Sequence, residues 1–453
     1  MGTKNWTKFP TLFSLYIAQS VPMSFFSTVV PVIMRQENYS LESIGLLQLV
    51  KLPWIVKFLW APLVDNSSRN TRDLKRWITL SELFYALIII SIAFLDLQTD
   101  FRLIVGLMVV AFVASATQDI ATDAFAILIL KKEERSTGNS MQAAGSFVGA
   151  LLGTGVLLIA YSFFGWSVFL FMLAGFVGFA LIPLYFYRSR HTISKRKGYR
   201  LTFPEVLRFF RRPGSAGHVL VLVFFYSGLI GVLTMLKPYL VDLGYNIKQI
   251  GVMSGIAGTS VATASALLAG VLVRKFGTRR ALTGQALMNI SAALFFWFMA
   301  GNAAPSLTAI YAGIFLLWGA YGASAVIIYT TAMEKVRPGA AGTDFTLQIV
   351  ITHLSSLAIA VLSGKIAGMT GYRGLFGLEV LMGVLTLTLV IAASRNRHQA
   401  ARLYRLNSSW TGPVSALKPA PAGTVNPATK HSLEATKKQQ PPEKLSKIVN
   451  QKE

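Results

Sequence analysis

Cysteine is missing from all 453 residues, which removes disulfide scaffolding, thiolate nucleophiles and cysteine-held metal from consideration. Charge is also scarce. Asp, Glu, Lys and Arg make up 14% of the chain, where a soluble domain carries about 25%. Neither a Walker phosphate loop nor a Gly-x-Ser-x-Gly elbow occurs, and no polar stretch is long enough to form a nucleotide-hydrolysing domain. The expectation is a protein that is not an enzyme, holds no cofactor and no metal, and draws any driving force from a gradient.

What is there is apolar. Hydrophobic residues reach 53% and the mean hydropathy is +0.53, too much grease to hide inside one water-soluble globule. The apolar runs are continuous and long enough to cross a hydrocarbon core of roughly 30 Å as helices; barrel strands would be about ten residues long and alternating. Spans are expected near 11–34, 42–64, 77–95, 103–130, 137–161 and 166–187, then near 217–241, 247–273, 280–300, 306–333, 343–369 and 373–394. The first run carries no cleavage pattern behind it and reads as a retained helix. The fold class expected is all-α and polytopic, with twelve transmembrane helices in two six-helix pseudo-repeats.

The net charge of +24 would suggest nucleic acid in a soluble protein, but its placement excludes that partner. Lys4, Lys8, Arg69, Arg72, Lys75, Arg76, Lys131, Lys132, Arg135, the 188–216 segment, Arg274, Lys275, Arg279, Arg280, Lys335 and Arg337 fall in alternate loops. The opposite loops hold only Arg35, Arg102, Lys248 and Arg373. Positive charge collects on the cytoplasmic side, so both termini are expected in the cytoplasm and the chain in the cell's inner membrane.

Internal repetition supports two halves. Ile44-Gly45 and Ile250-Gly251 stand at the same interval as Gly165-Trp166 and Gly371-Tyr372, and Gly138 finds Gly342 at nearly that offset. The domains expected are a bundle at 1–190, a basic cytoplasmic linker at 191–216, a second bundle at 217–395, and a disordered cytoplasmic tail at 396–453 rich in Pro, Lys, Gln and Thr. Within the linker, Leu201, Phe203, Val206, Leu207 and Phe210 predict a short helix lying on the inner membrane surface.

Ionisable groups inside spans are costly and should face protein or water. Asp119 and Asp123 lie one turn apart on one face of span four, beside Gln118 and Thr122. Counting back from the inner ends sets Lys57 at the depth of Asp123 and Lys51 at the depth of Asp119, which predicts two ion pairs. Such pairs could rivet two helices or couple a proton to movement; Asp119, nearer the midplane, is the better proton carrier. His353 in span eleven, titrating near neutrality, suits a relay. Glu82, Glu334 and Glu379 sit near span ends and read as structural. Lys237 reads equally well as a contact for an anionic cargo or as a side chain snorkelling to the outer surface.

The loop after span eight, GVLVRKFGTRRAL from Gly270 to Leu282, is similar to the loop signature of the major facilitator superfamily, with Gly270, Lys275, Gly277, Arg279 and Leu282 in place. A gating role follows from that resemblance, with Asp65 as the first-half counterpart in a loop that lacks the glycine. Span two, LPWIVKFLWAPLVD, and span four, ATQDIATDAFA, carry a narrower likeness. Lys57 to Pro62, Gln118-Asp119-Ile120, Asp123-Ala124, Glu134-Arg135 and Gly138 resemble the AmpG-like muropeptide permeases, the RhtX/FptX siderophore permeases and the acetyl-coenzyme A transporters. Enterobacterial muropeptide permeases are described with two further spans, which this chain lacks.

The resemblance implies the major facilitator fold and a cavity lined by spans one, four, seven and ten. Tyr16, Gln19, Gln118, Tyr226, Trp318 and Tyr321 are the cavity candidates, their rings and hydroxyls suited to a sugar, peptide or catecholate-like ligand. It implies a monomeric proton-coupled permease importing a muropeptide or a ferric siderophore. An exporter working by proton exchange stays open, as does a transporter-fold receptor or scaffold signalling through the tail.

Overall fold

The computed structural model describes residues 7–26, 30–36, 47–188, 191–193, 200–212, 214–302 and 304–410. Lys4, Ile44-Gly45, the opening of the second expected span, the centre of the linker and the tail past 410 lie outside the described residues. In chain order come α1 (Lys8–Ser24), α2 (Val30–Gln36), a 3-10 turn Gln48–Lys51, α3 (Leu52–Val56), a second 3-10 turn Lys57–Leu59, and α4 (Ala61–Ser67). Then follow α5 (Thr71–Ala93), α6 (Phe101–Ile129), α7 (Arg135–Leu151), α8 (Leu157–Ala180) and α9 (Ile182–Phe186). The second half holds α10 (Phe203–Leu207), α11 (Ser215–Phe224), α12 (Ile230–Asp242), α13 (Ile247–Ile250), α14 (Thr259–Phe276), α15 (Thr278–Met299), α16 (Leu307–Met333) and α17 (Ala341–Trp410). Among the described residues the one β-bridge joins Asn70 to Thr192.

Seven helical stretches among the described residues are long and apolar enough to cross a bilayer: Thr71–Ala93, Phe101–Ile129, Ala160–Phe186, Lys248–Phe276, Thr278–Met299, Leu307–Met333 and Ala341–Ala393. Two of them contain a turn. Gly165 (φ 71, ψ −178) and Gly371 (φ 68, ψ 174) interrupt their helices in the same conformation, one that only glycine adopts at little cost.

The expected second and seventh spans are broken instead of continuous, and each break has a cause in the sequence; of the first span the structure describes α1 and α2, with 27–29 outside the described residues. Pro22 stands inside α1. Pro53 and Pro62 occupy the first turns of α3 and α4, and a proline cannot donate to the preceding turn, so two 3-10 turns separate the pieces. Between α11 and α12 the chain passes through Gly228 at φ +91.

The freed backbone there is satisfied from neighbouring helices, as a hydrocarbon interior demands. The Phe224 carbonyl accepts from the Ser227 hydroxyl at 2.5 Å and the Thr386 hydroxyl at 2.6 Å. The Phe225 carbonyl accepts from Asn289 at 3.3 Å, and the Gly228 N–H donates to Glu379 at 2.7 Å. Glu379 is therefore a cap for a broken helix.

Polarity is inverted relative to a soluble protein. Leu80, Phe94, Phe163, Phe179 and Met369 are exposed, while Lys57, Glu82, Gln118, Asp119 and Asp123 are buried. Small residues let the helices approach closely enough to bury them. Gly145, Gly149 and Gly153 lie one turn apart on α7 and its π-turn extension; a Cβ on Gly145 would stand 2.9 Å from the Phe13 carbonyl oxygen, and one on Gly149 2.6 Å from Ser20 Cβ.

In the linker, Leu201, Val206 and Phe209 pack with Ala340 and Leu347, Arg337 donates to the Glu205 carbonyl at 3.0 Å, and Phe210 stays exposed.

Gly149→Leu should lower stability by about 1–3 kcal/mol, the usual cost of overpacking, whereas Gly175, with nothing within 4 Å of its added Cβ, should accept leucine. Thermal unfolding of the two variants in detergent checks this; equal midpoints would show that the α1–α7 approach is not tight.

Candidate transport and coupling site

Three helices meet around one buried salt bridge. Lys57 sits in the 3-10 turn between α3 and α4, 1% exposed, and its ammonium pairs with the Asp119 carboxylate, itself 3% exposed. The ammonium also lies over the Trp54 ring, 4.5 Å from its centroid. The other Asp119 oxygen accepts from Gln19 Nε2 at 2.9 Å. One turn further along α6, Asp123 Oδ1 accepts from the Tyr16 hydroxyl at 2.6 Å and from Gln142 Nε2 at 3.3 Å.

This pairing corrects the depth-matched assignment. Lys57 reaches Asp119 and not Asp123, and the place beside Asp119 given to Lys51 is taken; Lys51 itself is half-buried in the first 3-10 turn. The depth count assumed an unbroken helix at 1.5 Å per residue, but a 3-10 turn rises about 2.0 Å. A lysine stem then bridges the remaining helical turn.

His353, on α17, is exposed. Trp318, Tyr321 and Tyr226 form a second group, with Tyr321 at its centre: 6.0 Å from Trp318, 5.9 Å from Tyr226 and 5.8 Å from Phe147. Gln118 is fully buried on α6 and neither its amide oxygen nor its nitrogen has a hydrogen-bond partner. Lys237 is exposed. Among the described residues no three His, Asp or Glu side chains cluster as a metal site would require.

Gln142 and Trp54 went unread in the sequence. A glutamine inside the small-residue run of α7 was the available signal, since an amide in that company must find a buried partner.

One end of the molecule is closed. The Asp65 carboxylate, 3% exposed at the end of α4, accepts from the backbone N–H groups of Gly342 at 3.1 Å and Thr343 at 2.7 Å. It thus captures the positive end of α17, a helix from the other half of the chain. Arg135 donates to the Met333 carbonyl at 2.8 Å, Asn139 to Thr330 at 3.1 Å, and Ser140 to the Ala266 carbonyl at 2.9 Å. Gly270 works as a contact point and not as a turn: a side chain there would strike Ser136 and Ser140 of α7. Gly277, at φ +81, makes the turn between α14 and α15, and Arg279 follows it in the wall of a small hollow with Glu334.

The Major Facilitator Superfamily profile matches residues 12–360. The chain belongs to that superfamily. Among curated relatives, the anhydromuropeptide permease of Escherichia coli strain K12 is 24% identical over 406 residues, covering 88% of this chain and 81% of the permease. Among solved structures, the human organic anion transporter MFSD10 (TETRAN) superposes with a TM-score of 0.68 at 14% identity, over 86% of this chain and 100% of that one. A bacterial homologue of the iron transporter ferroportin, in an outward-facing state, gives 0.65 at 17% identity, over 86% and 99%. The facilitator fold, a multi-pass membrane location and a transport function follow for this chain, and the family and its relatives are transporters, not enzymes.

Because this facilitator lacks cysteine, a single introduced thiol reports access cleanly. Thr346→Cys, at a buried position one turn beyond Gly342, should react slowly with a membrane-impermeant maleimide and several-fold faster once Asp65→Ala is added. Unchanged labelling would show that Asp65 does not hold that end shut.

Proposed function

We propose that this facilitator imports a cell-wall anhydromuropeptide together with protons. The observation that carries the reading is the buried Lys57–Asp119 pair, hydrogen-bonded to Gln19 of α1. Transporter sites lie where discontinuous helices meet near the midplane, and the second and seventh spans are interrupted at Lys57–Leu59 and at Gly228. An amino sugar bearing a short peptide offers hydroxyls, amides and carboxylates. Tyr16, Gln19, Gln118 and His353 can meet the polar groups, and Tyr226, Trp318 and Tyr321 can stack on the sugar face. The permease of E. coli supports this cargo over a ferric siderophore.

The layout that goes with the proposal is twelve crossings in two six-helix bundles, 1–190 and 217–395, joined by a cytoplasmic linker. Equal backbone geometry at Gly165 and Gly371 supports the repeat, and the distribution of basic loops supports cytoplasmic termini in an inner membrane. The chain would act as a monomer and alternate access by rocking the two bundles about the cavity. Protonation of Asp119 breaks its pair with Lys57, and cargo that engages the released lysine links the two events.

Proteoliposomes with an imposed proton gradient test the reading. Wild type should accumulate labelled anhydromuropeptide uphill and lose accumulation with an uncoupler. Asp119→Asn should abolish accumulation while leaving exchange of preloaded cargo within about tenfold of wild type. Undiminished accumulation by Asp119→Asn would overturn the coupling role, and uptake of ferric siderophore but not muropeptide would overturn the cargo.

A further inference from the structure

A hollow of about 800 Å³ opens at the start of α5 and the end of α9, lined by Arg72, Lys75, Arg76, Tyr185, Arg188 and Leu80 among others. It shares no residue with the coupling pair and plays no part in the transport reading. Its chemistry is lopsided. Four cations face it, and among the described residues none of the four stands within 4.0 Å of a carboxylate. The nearest acidic residue in sequence, Asp73, accepts from the Arg69 N–H at 2.8 Å and lines a neighbouring hollow with Trp77, which Arg76 also borders.

Lys75 is held in place by donating to the Tyr187 carbonyl at 2.9 Å, while Arg72, Arg76 and Arg188 remain exposed. Uncompensated cations gathered in one concavity repel one another unless an anion sits among them.

The wall away from the charges is apolar and equally exposed. Leu80 is 66% exposed and Tyr185 81%, and Thr71–Ala93 is one of the stretches able to cross a bilayer. Cations therefore ring the membrane-boundary end of the hollow, and side chains fit for acyl chains continue from it along the span.

We propose that this hollow binds the phosphodiester headgroup of an anionic phospholipid, with Arg72, Arg76 and Arg188 as its phosphate ligands. Lys75 fixes the back of the site. A soluble phosphate would satisfy the cations but leave the apolar wall in contact with lipid tails it cannot engage. A zwitterionic lipid would bring a competing ammonium. The bound headgroup also sits against the point where the linker is pinned to α5, through Thr71 N–H to the His191 carbonyl at 3.0 Å and Ile193 N–H to the Arg69 carbonyl at 2.9 Å.

The test uses the full chain purified in detergent and challenged with phosphatidylglycerol, phosphatidylcholine or inorganic phosphate, bound lipid being counted by native mass spectrometry. Wild type should retain phosphatidylglycerol at least tenfold better than phosphatidylcholine. The combined Arg72→Ala, Arg76→Ala and Arg188→Ala variant should lose that preference by a factor of ten to on the order of 100, since each basic residue near an anionic surface contributes about 1 kcal/mol. A charge-matched variant elsewhere, Arg274→Ala, Lys275→Ala and Arg280→Ala, should keep most of it. Equal losses in the two variants would reduce the effect to general electrostatics and overturn the site. Displacement of the lipid by inorganic phosphate at equal concentration would assign the hollow to a soluble anion instead. Monodisperse elution and an unshifted thermal midpoint for the first variant exclude misfolding as the cause.

Discussion

A buried salt bridge between a lysine and an aspartate imposes most of what surrounds it. A charge at the centre of a membrane helix costs roughly 2.5–3.5 kcal/mol on insertion scales, and a buried pair with one member removed leaves the other uncompensated at about 3–5 kcal/mol. Gln19 and the Trp54 ring complete the surroundings of Lys57 and Asp119. That requirement draws α1 against α6 and bends the second span so that a lysine in a 3-10 turn reaches the right carboxylate. The glycine row on α7 lets α1 come close enough to deliver Tyr16 and Gln19.

The closed end obeys a different rule. Its polar contacts are hydrogen bonds repeated across the two halves: Asp65 with Gly342 and Thr343, Arg135 with Met333, Asn139 with Thr330, Ser140 with Ala266. Each is worth little in net terms, about 0.5–1.5 kcal/mol for a neutral bond and 1.5–3 where a charge takes part. The apolar part of this surface is built mostly from alanines, Ala143 on α7 against Ala266, Ala269 and Ala323. Interfaces that must open repeatedly need weak, replaceable contacts of this kind.

Much of this was legible in the chain, and what was not has a common cause. Hydropathy located the long spans, the intramembrane Asp119, Asp123, Lys57 and His353 were visible as costly residues, and Gly277 was recognisable as a turn. The partners were not. Depth matching paired Lys57 with Asp123 because it treated span two as one regular helix, while Pro53 and Pro62 change its rise and direction. Gln142 was passed over because a single amide in a small-residue run looks ordinary until its partner is in view. Periodicity reports where a residue sits on its own helix; which neighbour it meets depends on breaks and crossing angles that lie between helices.

The two halves carry unlike chemistry. At the break of the seventh span the backbone is answered by Ser227, Thr386, Asn289 and Glu379, and Tyr226, Trp318 and Tyr321 gather as an aromatic group. Beside α1 the partners are a lysine and two aspartates. Loss of Ser227, Thr386 or Asn289 removes one neutral hydrogen bond, whereas loss of Lys57 or Asp119 leaves the other member of a buried pair without its partner, which costs several times more. The tolerance of the two halves to substitution should therefore differ most where their helices are otherwise most alike.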